Sequence, residues 1–181
     1  MVASSTQDVL LALFQQGRHH EVITQAQAQA VSPESQPLAA QILAASFFQL
    51  ADYAQAASLL ERLEASLGYD ANYLSLYGAT CRRLGLFAKA EILLKRALDA
   101  SDDAAEVRNN YANLLIDLQR YDEAKLILEE LLRENPQYAD ARVNLNRLSF
   151  RVEENTQSAV PPSQTNQVKQ AQADSTWQPA D

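Results

Sequence analysis

Apolar positions along this chain fall in helical blocks, and the blocks themselves repeat. Between residues 71 and 104, Leu74, Tyr77, Cys81 and Leu84 stand three or four apart, the spacing that lines one face of a helix. Gly85 then offers a cheap left-handed residue to end that helix. A second apolar series follows at Ala90, Leu93, Leu94, Ala97 and Leu98, so the block reads as a helix hairpin. No stretch alternates apolar and polar residues as a strand requires.

The same block recurs every 34 residues. Tyr53, Phe87 and Tyr121 are 34 apart, as are Ala56, Ala90 and Ala124, and as are Leu60, Leu94 and Leu128. Small residues recur in the first helix of each block as well, at Ala44, Gly78 and Ala112, opposite Ala56, Ala90 and Ala124. Two helices with facing small residues can approach closely. A fixed period of this length marks stacked units, none of which buries its apolar face alone. The units are 37–70, 71–104 and 105–138, with an irregular first copy at 3–36. That copy keeps Val9, Leu10, Leu13, Gly17 and Val22, but His19 replaces the turn aromatic and Ala26 replaces the later large apolar residue. Residues 139–153 predict one more helix, with Val143, Leu145, Leu148 and Val152 as its apolar stripe. Arg142, Asn146, Arg147 and Arg151 give it a polar outer side, as suits a helix closing a stack. From about residue 155 to 181 the pattern stops, and a Gln-, Ser-, Ala-, Thr- and Pro-rich composition predicts a disordered tail or linker. Trp177 lies there, and reads first as an inert residue, then as a docking motif or the start of a further domain.

These residues resemble the tetratricopeptide repeat, whose pattern runs W-x2-L-G-x2-Y, then A-x3-F, then P. The third unit offers Leu74, Tyr77, Gly78, Cys81, Ala90 and Leu94; the fourth offers Arg108, Tyr111, Ala112, Leu115, Ala124, Leu128 and Pro136. The second gives Ala40, Leu43, Ala44, Phe47, Ala56 and Leu60. The resemblance covers roughly residues 3–153. It implies an all-α solenoid of four hairpins plus a capping helix. It also implies a protein–protein interaction scaffold or adaptor whose first helices line a concave groove for an extended peptide.

Carried over, the groove positions are Leu11, Phe14, Leu38, Ala45 and Phe48, then Asn72, Ser75, Ala79, Arg82 and Arg83. Glu106, Asn109, Asn110 and Asn113 follow, then Asn144, Arg147 and Arg151. Asn110 and Asn144 are one period apart and resemble half of a peptide-holding asparagine ladder, broken by Leu76 and Ile42 at the same position. The resemblance does not extend to the carboxylate clamp of co-chaperone members, since no three consecutive hairpins carry its Lys, Asn and Arg set. Two other settings fit the same pattern. One is the recruiting or regulatory front end of a larger, glycosyltransferase-like enzyme. The other is an assembly factor for a membrane or secretion complex.

Composition narrows the partners. A net charge of -8 disfavours sequence-independent nucleic-acid binding, which needs a basic face. The charge is uneven: the third unit holds five basic against four acidic residues, whereas the fourth holds four against seven. One cysteine excludes an internal disulfide and suits a reducing compartment, so cytoplasmic residence is expected. The apolar run Val9–Phe14 is too short for a membrane span, and no basic region precedes it. His19 and His20 are adjacent turn residues without the three or four converging ligands a metal needs. Cys81 reads as a small buried hydrophobe, and Asp102 with Asp103 as exposed caps. No phosphate-cradling glycine loop occurs. A non-enzymatic protein without cofactor or metal is therefore expected, binding another protein or peptide. Its oligomeric state is left open.

Overall fold

The computed structural model describes residues 5–101 and 104–158; Asp102, Asp103 and Trp177 lie outside the described residues. Nine helices are found there and no strand. They pair as α1 (Thr6–Gln15) with α2 (His19–Ala28), α3 (Pro37–Gln49) with α4 (Tyr53–Leu67), α5 (Ala71–Arg83) with α6 (Phe87–Ala100), and α7 (Ala105–Asp117) with α8 (Tyr121–Glu134). A single helix, α9 (Ala139–Ser158), closes the stack and runs five residues beyond the expected Glu153.

Every hairpin turns in the same way. Gly17, Ala51, Gly85 and Gln119 all take left-handed backbone, at φ 71, 61, 75 and 60°. They stand 34 apart. At each one the following amide reaches back five residues: Arg18 to the Leu13 carbonyl, Asp52 to Phe47, Leu86 to Cys81 and Arg120 to Leu115, at 2.8–3.0 Å. This is the Schellman stop, which satisfies helix-end carbonyls that would otherwise lack partners. Several helix starts are fixed as locally: Asp52 and Asp70 accept the amides of Gln55 and Tyr73, and Ser5 with Asp8 forms a reciprocal capping box.

Within a hairpin the small residues do what their size allows. Ala44, Ala56, Ala90, Ala112 and Ala124 are fully buried. A methyl placed on Gly78 would stand 2.6 Å from Leu94 Cγ, so only glycine fits that crossing. The irregular first unit solves the same problem in reverse. Its facing pair is Leu10 and Val22, large instead of small, and Ala26 is the reduced partner; all three are buried in one cluster with Ala39 and Leu43. The volume missing at Ala26 is supplied across the hairpin by Leu10.

Consecutive first helices touch, α1 with α3, α3 with α5, α5 with α7 and α7 with α9, and each second helix packs on the next first helix. The second helices make no such contact among themselves. The stack therefore curves towards α1, α3, α5, α7 and α9, which form its concave side. Tyr73 pins one interface from inside: fully buried, its hydroxyl donates to the Leu60 carbonyl at 2.7 Å and to Glu64 at 3.0 Å. Burial, then the Glu64 carboxylate, raises its pKa far above the usual phenol range.

The closing helix differs from its expected stripe. Val143 is 63% and Val152 39% exposed, whereas Ala141, Asn144 and Leu148 are buried. The reason is its register: α9 occupies the place of a fifth first helix, with Ala141 and Leu148 one period after Val107 and Leu114. Asn146 and Ser149 stand where Ala112 and Leu115 face a second helix, and both are exposed. Polar residues at those two positions end the array.

Candidate functional site: the concave groove

The concave helices enclose an open cleft of about 870 Å³. Its wall from α1 and α3 is apolar, made by Leu11, Phe14, Leu38, Ile42, Ala45 and Phe48, and Leu76 of α5 extends it. Its far side is polar, with Asn72, Glu106, Asn109, Asn110 and Asp140. A smaller recess of about 370 Å³ continues from Phe48 past Tyr53 to Arg82, Arg83, Asn113 and Asn144. Phe48 lines both, and its ring meets Tyr53 edge-on at 5.4 Å. Phe14 is held similarly against His19 at 5.1 Å.

The polar residues on this face differ in how far they are already engaged. Asn144 Nδ2 donates to Asn109 Oδ1 at 2.8 Å, and Asn110 Nδ2 donates to Ser75 Oγ at 3.0 Å. Arg147 donates to Asn113 Oδ1 at 2.9 Å. These bonds tie neighbouring first helices together, so part of the amide row is spent on the stack itself. Asn113 and Asn144 are correspondingly buried, whereas Asn110 is half-exposed.

The arginines divide likewise. Arg82 is nearly buried and paired with Asp117 at 2.6 Å. Arg83 is exposed, its guanidinium 4.8 Å above the Tyr53 ring, a cation–π placement that leaves the charge facing solvent. Arg147 lies 3.8 Å from the same Asp117. Burial first, then the fields of Arg82, Arg151 and Arg83 working against Asp117, draws the Arg147 pKa down. Arg82 and Arg147 thus share the Asp117 carboxylate, and Arg83 and Arg151 stand close enough to act on Arg147. At the N-terminal ends of α7 and α9 stand Glu106 and Asp140; burial, then these two carboxylates, raises the Tyr138 phenol. The groove runs from an acidic rim to a basic one in a protein whose net charge is -8.

Most groove positions named from the sequence line these two spaces. Three do not: Ser75 is buried and bonded to Asn110, Arg147 is bonded to Asn113, and Arg151 lines a separate recess with Asp117 and Tyr121. Gln7, Gln41, Gln49, Tyr53 and Tyr138 line the spaces without having been singled out. Tyr53 opens α4, and Tyr138 lies in the connection before α9, where a helix-face argument does not reach. Chemistry elsewhere is sparse. Burial pushes the Cys81 thiol up, away from the reactive thiolate. Among the described residues no group of three or more His, Cys, Asp or Glu could hold a metal ion, and no helix is long and apolar enough to cross a membrane.

Comparison with known proteins agrees with this architecture. A sequence profile of the tetratricopeptide repeat family matches residues 83–148. No curated protein sequence matches the chain significantly. Among solved structures, a tetratricopeptide repeat protein from Parabacteroides merdae ATCC 43184 aligns with a TM-score of 0.69 at 17% identity, over 84% of this chain and 59% of its own length. MamA of AMB-1 aligns at 0.67 with 17% identity, covering 86% of this chain and 92% of that one. The first repeat domain of Spaghetti (RPAP3), bound to the HSP90 peptide SRMEEVD, aligns at 0.56 with 20% identity, over 64% of this chain and 92% of its own. At these identities the likeness is one of fold. The profile match identifies residues 83–148 as tetratricopeptide repeats, and the fold of the chain over most of its length is the one that tetratricopeptide repeat proteins share.

Proposed function

We propose that this protein is a non-catalytic adaptor that binds an extended segment of another protein along its concave groove. The observation that carries the proposal is the gradient along that groove, apolar at Phe14 and Phe48, cationic at Arg83, and amide-lined at Asn110. An extended peptide with a large apolar residue and a nearby carboxylate complements it. The apolar residue is the anchor, because desolvated aromatic contacts dominate binding energy while exposed ion pairs contribute little. Asn110, Asn113 and Asn144 serve the peptide backbone through whatever donor and acceptor capacity their bonds to the stack leave open. Arg82 and Arg147, already engaged with Asp117 and Asn113, set the potential of this end, and Arg83 meets the ligand. The repeat domain of Spaghetti bound to an HSP90 peptide is a precedent for the fold taking a peptide ligand. On this reading the adaptor works in the cytoplasm, in keeping with its single cysteine.

The test is a pair of variants measured against one selected peptide ligand. Phe48→Ala is expected to weaken binding by about 2 kcal/mol, roughly thirtyfold. Arg83→Ala is expected to cost under about 1 kcal/mol and to flatten the salt dependence. Equal binding by both variants and the parent protein would refute the groove as the site.

A further inference from the structure

The apolar wall of the groove is left uncovered by the described residues. Leu11 and Leu38 are 39% and 46% exposed, and Phe14, Ile42, Phe48 and Leu76 continue the surface between them and α5. Beyond Phe48 the surface becomes cationic, with Arg83 over Tyr53 and the Arg82, Arg147 and Arg151 cluster behind it. A contiguous exposed apolar strip beside a charged one marks an interaction surface. Its matching occupant has one large apolar side chain, carboxylates close by, and no cation that the arginines would repel.

The chain itself contains a segment of that description. Residues 170–181 hold Trp177, the only tryptophan, together with Asp174 and Asp181, and neither lysine nor arginine. The helix α9 ends at Ser158, 19 residues before Trp177 (177 − 158), and a chain of that length reaches up to about 65 Å. From α9 to α3 is three first-helix steps, roughly 30 Å at 8–10 Å each. Reach therefore permits the contact, and the chemistry of the two surfaces selects it. We propose that residues 170–181 occupy this chain's own groove, Trp177 against the wall of Leu38 and Phe48 and the aspartates towards Arg83. Incoming peptides then bind by displacing this segment. The proposal rests on the groove reading above and adds a competitor built into the same polypeptide.

Tethering sets the size of the effect. At an effective concentration on the order of 1 mM and an intrinsic affinity of about 0.1 mM, self-occupancy weakens an incoming peptide roughly tenfold.

Trp177 is also its own probe. In the full chain its selectively excited fluorescence is expected to be blue-shifted from that of a synthetic peptide spanning 168–181. Quenching by acrylamide should be several-fold weaker, and neither property should depend on protein concentration. Leu38→Ala and Phe48→Ala should each move emission towards the free peptide, and the exposed position of Leu38 guards against a folding artefact. Trp177→Ala in the full chain should bind the labelled 168–181 peptide about tenfold more tightly than the parent does. Emission and quenching equal to those of the free peptide would overturn self-occupancy. So would protection that grows with protein concentration, because a second copy would then be the occupant. Protection untouched by the groove variants would place the segment elsewhere and overturn it too. If Trp177 is free while selected peptides still lose binding to Phe48→Ala, self-occupancy fails and the groove reading stands. If those peptides ignore Phe48→Ala as well, both fail.

Discussion

The four hairpin turns form a natural substitution series, and its energetics follow from the backbone alone. Gly17 and Gly85 occupy the left-handed position in the first and third hairpins, whereas Ala51 and Gln119 occupy it in the second and fourth. A Cβ at Gly85 would meet no heavy atom within 4 Å, so Gly85→Ala adds no clash. Two terms remain. Holding alanine in left-handed backbone costs about 1–2 kcal/mol. Replacing glycine lowers unfolded-state entropy, which returns about 0.4–1 kcal/mol. The net expectation is a loss of about 1 kcal/mol for Gly85→Ala, and by the same terms with reversed sign a gain of similar size for Ala51→Gly.

Urea unfolding followed by circular dichroism reads both changes. With a slope near 2 kcal/mol per molar, each shifts the midpoint by about 0.5 M, in opposite directions. The double variant Ala51→Gly with Gly85→Ala should return to the parent midpoint, because the turns lie in different hairpins and share no partner. If Ala51→Gly lowers the midpoint, or Gly85→Ala leaves it unchanged, backbone conformation is not what these positions contribute.

Other predictions concern packing, charge and the closing helix. Gly78→Ala drives a methyl to 2.6 Å from Leu94 Cγ, and Ala90→Leu overfills a fully buried site; each should cost about 1–3 kcal/mol in the same unfolding assay. Truncation after residue 138 removes α9 and exposes the apolar side of α7 and α8, so melting temperature should fall steeply or the protein associate; truncation after residue 158 keeps α9 and should cost only the roughly 1.4 kcal/mol that self-occupancy contributes. The carboxyls of Glu34, Glu91, Glu123 and Glu134 are held below their ordinary range by hydrogen bonds from Arg62, from Lys95 and Arg120, from Arg120, and from Arg108. Depressed folded-state values mean that this stabilisation is complete above the ordinary glutamate pKa near 4.5 and disappears as pH falls through the folded values. A stability–pH curve flat above pH 5 and falling only in acid is the expected profile, and a fall between pH 6 and 8 would contradict it.

Much of this structure is legible in the sequence because repetition amplifies weak local signals. One alanine facing a leucine is uninformative, but Ala44, Gly78 and Ala112 in phase with Ala56, Ala90 and Ala124 define the hairpin crossing. Glycine at 17 and 85 marked two turns, while Ala51 and Gln119 hid the same left-handed backbone behind ordinary side chains. In the closing helix the apolar spacing reads Val143 as inward, yet it is exposed although Asn109, one period earlier, is buried. Hydropathy misled there because a last helix has only one packed side. Pairing of the groove residues was harder to see, since Arg82–Asp117, Asn109–Asn144 and Ser75–Asn110 are all 35 residues apart. That offset is one period plus one residue, the distance at which neighbouring first helices meet. Polar pairs separated by 34 or 35 could therefore have been recognised as lateral ties in advance. The ligand leaves no comparable trace, because a groove specifies shape and charge without repeating them.

The central claim is that the concave face, rather than the convex one, takes an extended apolar and acidic segment. Selection of peptides from a random display library on the intact protein tests it, followed by affinity measurement with Phe48→Ala, Arg83→Ala and the convex-face variant Ile92→Ala. Ile92 is 62% exposed on α6 and lines neither groove space, so it controls for general loss of surface. Enriched peptides should carry a large apolar residue near a carboxylate, lose about thirtyfold on Phe48→Ala, weaken modestly on Arg83→Ala and ignore Ile92→Ala. Peptides of unrelated composition that ignore Phe48→Ala and fail on Ile92→Ala would place binding on the convex face and contradict the account.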